Sequence, residues 1–285
     1  METIKDYYQL TKPGIVYGNL LHAIVGYGLA YDYGLSLWNA TGLVVGMGAV
    51  IASSCVANNL LDRGIDAKMV RTQQRSLVTG RIQTPAATLF ALILLAVGVA
   101  VLASTTNLMT LQLALIGYIW YVFLYGMAKR RTRHSTLIGS VPGAIPIMAG
   151  YTAASGTGDT VAWLLFLMLV TWQMPHFYAI ALYRQKEYDA AGLPVASVVL
   201  GRKVVYQQMI VFAALYCCVI AVLIAMGGVH WIGGAVLLIG GLYWTQQIAI
   251  GRPAFTDAWA RRTFRQSLLL TLALAFATAV TVVLS

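Results

Sequence analysis

Nine long runs of apolar residues divide this chain, at approximately 15–34, 38–60, 86–104, 108–127, 136–155, 161–182, 205–226, 228–250 and 266–284. A helix needs about 20 mostly apolar residues to cross a bilayer. The pattern therefore predicts an all-α integral membrane protein, a bundle of nine transmembrane helices forming one domain over residues 1–285. None of the runs has an interior Lys or Arg. The opening METIKDYYQLTKPG lacks the basic, apolar and small-residue succession of a cleaved signal. The first run is thus expected to stay in the membrane. Pro142 and Pro146 in the fifth run and Pro175 in the sixth predict helix breaks and a kink. Each proline leaves the carbonyl four residues back without its usual donor.

Charge sorts the connections between the runs. Lys5 and Lys12 precede the first run, and Arg63, Lys68, Arg71, Arg75 and Arg81 follow the second. Lys129, Arg130, Arg131 and Arg133 follow the fourth, Arg184, Lys186, Arg202 and Lys203 the sixth, and Arg252, Arg261, Arg262 and Arg265 the eighth. These are all 19 Lys and Arg of the chain; the alternate connections, near Asp32, Thr106, Asp159 and Gly228, have none. Basic loops stay in the cytoplasm, which puts the N-terminus inside and the C-terminus outside. One miscounted helix would have scattered the charges over both sides. With 59% hydrophobic and 10% charged residues, against about 25% charged in soluble domains, the net charge of +10 reflects topology. Nucleic acid is not an expected partner. Cys55, Cys217 and Cys218 lie in apolar runs and are expected to be buried free thiols.

Two basic connections are long, roughly 20 residues each, and both hold acids among the bases. In the first, Asn58, Asp62 and Asp66 recur every fourth residue. If the helix continues through them, they share one face. Carboxylates for a hard cation, beside guanidinium groups, are what a diphosphate with Mg²⁺ requires. A bland helix end would need neither that spacing nor Asn58 inside the apolar run. The second long connection reads Tyr183-Arg184-Gln185-Lys186-Glu187-Tyr188-Asp189. Such mixed charge is equally what a solvated helix end shows. In the sixth run, His176 within WQMPHF is an ionisable group at membrane depth beside a proline. That position suits a base or a ligand to a metal centre such as haem iron. The cluster from Lys129 to Arg133 faces the same side and is placed to meet the same diphosphate.

These residues resemble the UbiA superfamily of intramembrane prenyltransferases, whose first motif reads N-D-x-x-D-x-x-x-D. Asn58 to Asp66 matches it except at Asn59. Within the superfamily the chain is similar to the protohaem IX farnesyltransferases, also called haem O synthases. The resemblance rests on Asn58-Asn59, Asp62-Arg63, Ile65-Asp66, Lys68-Met69, Arg71-Thr72, Arg75 and Leu77 to Gly80, together with WQMPHF, the Tyr183 to Tyr188 segment with its following Ala-Gly-x-Pro, and Thr136 to Ser140. Gly64 departs from the pattern, since that family commonly has a third Asp there. Tyr183 stands four residues before Glu187, where the superfamily's second motif has Asp.

The resemblance implies Mg²⁺-dependent transfer of a farnesyl group from farnesyl diphosphate to a vinyl group of haem b. Water adds, and the products are haem O and diphosphate. It implies a multi-pass protein of the bacterial inner membrane, surrounded by lipid, with its active site facing the cytoplasm. Haem A synthase or a terminal oxidase assembly would receive the product. The implied metal set is Asn58, Asp62, Asp66 and Glu187, and the implied diphosphate set is Arg63, Lys68, Arg71, Arg75, Lys129, Arg130, Arg184 and Lys186. Asp62, Asp66 and His176 are the expected catalytic residues, with His176 and Tyr183 at the haem. Tyr118, Trp120 and Tyr121 offer aromatic faces to an allylic cation. A prenyltransferase acting on an aromatic quinone precursor would share the helices and first motif, but WQMPHF argues against it. A secondary transporter would carry charge near the bilayer midplane, whereas every Asp and Glu here lies at or beyond a predicted membrane edge.

Overall fold

The computed structural model describes residues 2–251 and 256–284, and among these every regular element is helical. The order is α1 (Glu2–Leu10), α2 (Pro13–Leu29), α3 (Leu37–Asp66), α4 (Ser76–Thr79), α5 (Thr84–Thr105), α6 (Leu108–Ile119) and α7 (Gly126–Arg131). There follow α8 (Ser135–Ser155), α9 (Thr160–Tyr183), α10 (Gln185–Ala190), α11 (Ala196–Val199), α12 (Gly201–Ala225), α13 (Trp231–Ile250) and α14 (Asp257–Leu284). A π-helical turn, Trp120–Tyr125, joins α6 to α7 without a break. Among the described residues seven helices are long and apolar enough to cross a membrane: α3, α5, the continuous α6–α7, α8, α9, α12 and α14. Helices α2 and α13, of 17 and 20 residues, occupy the first and eighth apolar runs. Arg252, counted above among the basic connections, lies outside the described residues.

Helices α3, α8 and α9 are the core. They bury 61%, 61% and 67% of their apolar windows, against 22% for α5 and 17% for α6–α7. The outer helices turn residues such as Leu89, Leu92, Ile116 and Phe123 outward, as lipid-facing surfaces do. Helix α9 packs against α8, α12 and α14, α2 against α8, and α3 against α5. Apolar side chains gain nothing by leaving lipid for one another, so close backbone approach must hold such helices together. Gly26 of α2 and Gly150 of α8 supply it reciprocally. A Cβ on Gly26 would run into the Ile147 carbonyl oxygen, and one on Gly150 into that of Ala23. On the face without basic residues, the spans start on side-chain caps: Ser36 for α3, Asn107 for α6 and Asp159 for α9.

Two expectations are corrected. Helix α8 runs unbroken through Pro142 and Pro146, where breaks were expected. The carbonyl that Pro142 frees, that of Ile138, accepts a hydrogen bond from Trp120 Nε1 at 2.9 Å. A side chain from α6–α7 thus replaces the missing amide and the helix need not open. All three cysteines are free, but Cys218 is exposed on α12 while Cys55 and Cys217 are buried.

Candidate active site

Helix α3 does continue past the apolar run to Asp66, so Asn58, Asp62 and Asp66 stack one turn apart at its basic end. All three are buried, at 2%, 6% and 6% exposure. Buried carboxylates demand compensation, and each has it from a different part of the chain. Lys129 Nζ and Arg130 Nη2 both donate to Asp62, the latter at 3.1 Å. Arg75 Nη1 donates to Asp66 Oδ2 at 2.6 Å and to Asn59 Oδ1 at 3.2 Å. Lys12 Nζ donates to Asn58 Oδ1 at 2.9 Å. Burial draws the Lys12 ammonium down to about 8, and the nearby Arg75 and Lys129 act in the same direction. Lys12 is also the one described non-glycine residue at positive φ, 53°. The following Pro13 disfavours the right-handed helical region there, which ends α1 and starts α2 at this ammonium.

The π turn sets the register of the opposite wall. Tyr121 and Tyr125 stack with ring centres 5.5 Å apart, and Lys129 Nζ lies 5.5 Å from the Tyr125 ring centre. A π turn takes up an extra residue and is frequent at functional sites; here it lines both tyrosines up with the lysine that meets Asp62. Beside Asp66 and Arg75 a cavity of about 520 Å³ opens towards α1, walled by Lys5, Asp6, Gln9 and Gln74 among others. Helix α1 is pinned to it by Asp6, which accepts from Arg81 Nε at 3.1 Å, and by its Leu10 carbonyl, which accepts from Asn59 Nδ2 at 2.8 Å.

The two long basic connections form one cap over this site. Met69 of the first packs with Ala191 and Leu193 of the second, flanked by Ile65, Tyr188 and Val195. At its edge Arg71 Nε stands 3.9 Å from Glu187 Oε2. Burial, and then the charge of Arg184, lower the pKa of Arg71, while burial raises that of the Tyr188 hydroxyl.

The sequence pattern of the UbiA prenyltransferase family matches residues 19–269. The chain belongs to that family. It is a prenyltransferase, 42% identical over 264 residues to the Protoheme IX farnesyltransferase 2 of Chromobacterium violaceum, a match covering 91% of this chain and 87% of that protein. Relatives at 38–39% identity from Vibrio campbellii and Pseudomonas putida are also called protoheme IX farnesyltransferases. Among solved structures, that of a digeranylgeranylglyceryl phosphate synthase superposes with TM-score 0.83 at 16% identity, over 100% of both chains. A UbiA homologue from Archaeoglobus fulgidus bound to GPP and Mg²⁺ superposes with TM-score 0.74 at 18% identity, over 96% of this chain and 99% of that one. These two likenesses show the fold.

In this UbiA prenyltransferase the sequence-predicted residues separate into groups. Asn58, Asp62, Asp66, Arg75, Lys129 and Arg130 converge. Arg63 and Lys68 are exposed near them, in no ion pair among the described residues, and Lys186 is exposed on α10. Glu187 does not join the carboxylates as the expected metal set required, because α10 turns it to Arg71. Among the described residues no three His, Cys, Asp or Glu side chains form a cluster. His176 lies inside the bundle, its Nδ1 2.7 Å from Ser267 Oγ and its ring stacked on Trp172 at 4.8 Å. WQMPHF is also a packing seam, since Trp172 Nε1 donates to the Ser267 carbonyl and Gln173 Nε2 to that of Ser140, each at 3.1 Å. Of the expected aromatic faces, Trp120 serves α8 and Tyr118 packs into the apolar core near α2 and α3. Lys12 and Tyr125 were not expected at the site, and Asn59 and Tyr188 were named only as motif residues. The one signal for Lys12 was its place before a proline at the membrane edge.

Proposed function

We propose that this protein transfers a farnesyl group from farnesyl diphosphate to a vinyl group of haem b, adding water and releasing diphosphate. The observation that carries this reading is the pair of buried carboxylates, Asp62 and Asp66, ringed by Arg75, Lys129 and Arg130. The shared name of the relatives supports farnesyl as donor and haem as acceptor. We place all nine long helices across the membrane, as one domain, with the basic face and the active site towards the bacterial cytoplasm. The supporting observation is that the basic residues lie on alternate connections.

The donor set fits a hard divalent cation. Asp62 and Asp66 offer carboxylate oxygens and Asn58 a carbonyl oxygen, all at the buried end of α3. Asp62 and Asp66 would hold Mg²⁺, with Asn58 beside them, and the ion would offset the charge on diphosphate oxygens. When farnesyl diphosphate enters, Lys129, Arg130 and Arg75 can turn from the carboxylates to those oxygens and stabilise the departing diphosphate. The farnesyl C1–O bond breaks with its electron pair on the diphosphate. Tyr125 and Tyr121 present aromatic faces to the allylic cation. The vinyl group supplies the electrons of the new C–C bond, and water captures the resulting cation and loses a proton. His176, fixed through Nδ1 by Ser267, keeps Nε2 for the acceptor. The test is to incubate purified protein with farnesyl diphosphate, Mg²⁺ and haem b and to weigh the pigment. A mass increase of one farnesyl group plus one hydroxyl group is expected. Unchanged haem b would refute the reading.

A further inference from the structure

A second cationic pole stands at the basic end of α9, gathered on the Tyr183 ring and not on the Asp62 and Asp66 carboxylates. Arg261 Cζ lies 4.6 Å from the centre of the Tyr183 ring and Arg184 Cζ lies 5.5 Å from it. Among the described residues neither guanidinium is paired with a carboxylate, and Arg184 Nε is buried without a hydrogen-bond partner. Tyr183 packs edge-on to Phe264, with ring centres 6.2 Å apart, and Phe264 meets His176 at 4.9 Å. One aromatic wall therefore runs from an imidazole inside the bundle to two guanidinium groups at its basic face. The carboxylates Asp62 and Asp66 are already met by Arg75, Lys129 and Arg130, so the two poles have separate assignments.

We infer that Arg184 and Arg261 bind the carboxylate edge of the acceptor. The inference rests on the reading above that the acceptor is haem b. That molecule is a flat apolar ring with two propionate carboxylates on one edge and vinyl groups on another. Guanidinium forks match carboxylates bidentately, and the wall of Tyr183, Phe264 and His176 suits the flat ring. Anchoring the propionates at the basic face fixes which edge of the ring meets the farnesyl carbon. The pole thereby selects the vinyl group as well as the substrate.

The test compares haem b with its dimethyl ester, using the purified full-length protein with farnesyl diphosphate and Mg²⁺. In Arg184→Gln and Arg261→Gln the KM for haem b is expected to rise roughly 10–100-fold. The KM for farnesyl diphosphate stays unchanged, and both variants match wild type with the ester. Arg261→Lys regains part of the loss, and Arg262→Gln, the next residue on α14, behaves as wild type. Where a variant is obtained in poor yield, absorbance titration of its folded fraction with haem b reads the same loss as a Kd. An ester bound and converted as well as the diacid by wild type would overturn the assignment. So would a KM for farnesyl diphosphate that rises together with that for haem. Absence of any farnesylated pigment from wild type would overturn the haem reading and this assignment with it. Pigment with equal turnover of ester and diacid overturns the assignment alone.

Discussion

Asp62→Asn should separate what the carboxylate does for folding from what it does for transfer. In the folded protein Asp62 is the counter-ion of Lys129, and the two side chains are 8% and 13% exposed. Removing one member of a buried pair costs about 3–5 kcal/mol, because the other charge is left uncompensated. The second bridge, to Arg130, adds only about 0–1 kcal/mol, since that side chain is 42% exposed. Asparagine still accepts a hydrogen bond, which favours the lower end, about 3 kcal/mol. Lys129→Met alone should cost a similar amount. In Asp62→Asn with Lys129→Met both charges are gone, and the loss should shrink to about 1 kcal/mol. Transfer should fall about 100-fold or more in Asp62→Asn and stay low in the double variant. Thermal unfolding of detergent-purified protein reads the first quantity, and farnesylated pigment formed per minute reads the second. If activity returns along with stability in the double variant, Asp62 acts only by balancing Lys129, and the proposed diphosphate site loses its centre.

Other expectations are simpler. Exhaustive chelation of divalent metal should stop transfer, with Mg²⁺ restoring it, and turnover that persists without metal would contradict the assignment of Asp62 and Asp66. His176→Ala should weaken haem binding in an absorbance titration; an unchanged titration with unchanged product would leave His176 a packing residue of the Ser267 seam. Gly64→Ala should stabilise by about 0.5–1 kcal/mol with activity intact, because a Cβ there meets nothing within 4 Å. A fall in activity would mean that the last turn of α3 must flex. Trp120→Phe should cost about 1 kcal/mol or more in thermal unfolding by orphaning the Ile138 carbonyl, and an unchanged midpoint would show that α8 needs no help at Pro142.

What could be read from the sequence follows from how far each interaction reaches. The bilayer makes long apolar runs obligatory, so the helix positions were legible, and the spacing of Asn58, Asp62 and Asp66 gave their shared face from helix geometry alone. Which base would meet which acid was not legible. Lys68, two residues beyond Asp66, remains exposed, whereas Lys129 arrives on α7 to pair with Asp62. Its approach depends on the π turn, which no periodicity announces. The same holds for Pro142, because its rescue by Trp120 comes from another helix. Lys12 looked like a topology charge, but its ammonium donates a hydrogen bond to Asn58 Oδ1. Arg75, Lys129 and Arg130 were expected at the diphosphate, whereas Lys12, between α1 and α2, was not. Lys12, Arg75, Lys129 and Arg130 outnumber Asp62 and Asp66 two to one in a largely buried site. Packing apolar side chains would not require such an excess, and a buried positive excess is unfavourable by itself. An incoming dianion or trianion removes it. The positive excess is therefore itself an argument that the fold is built around a diphosphate.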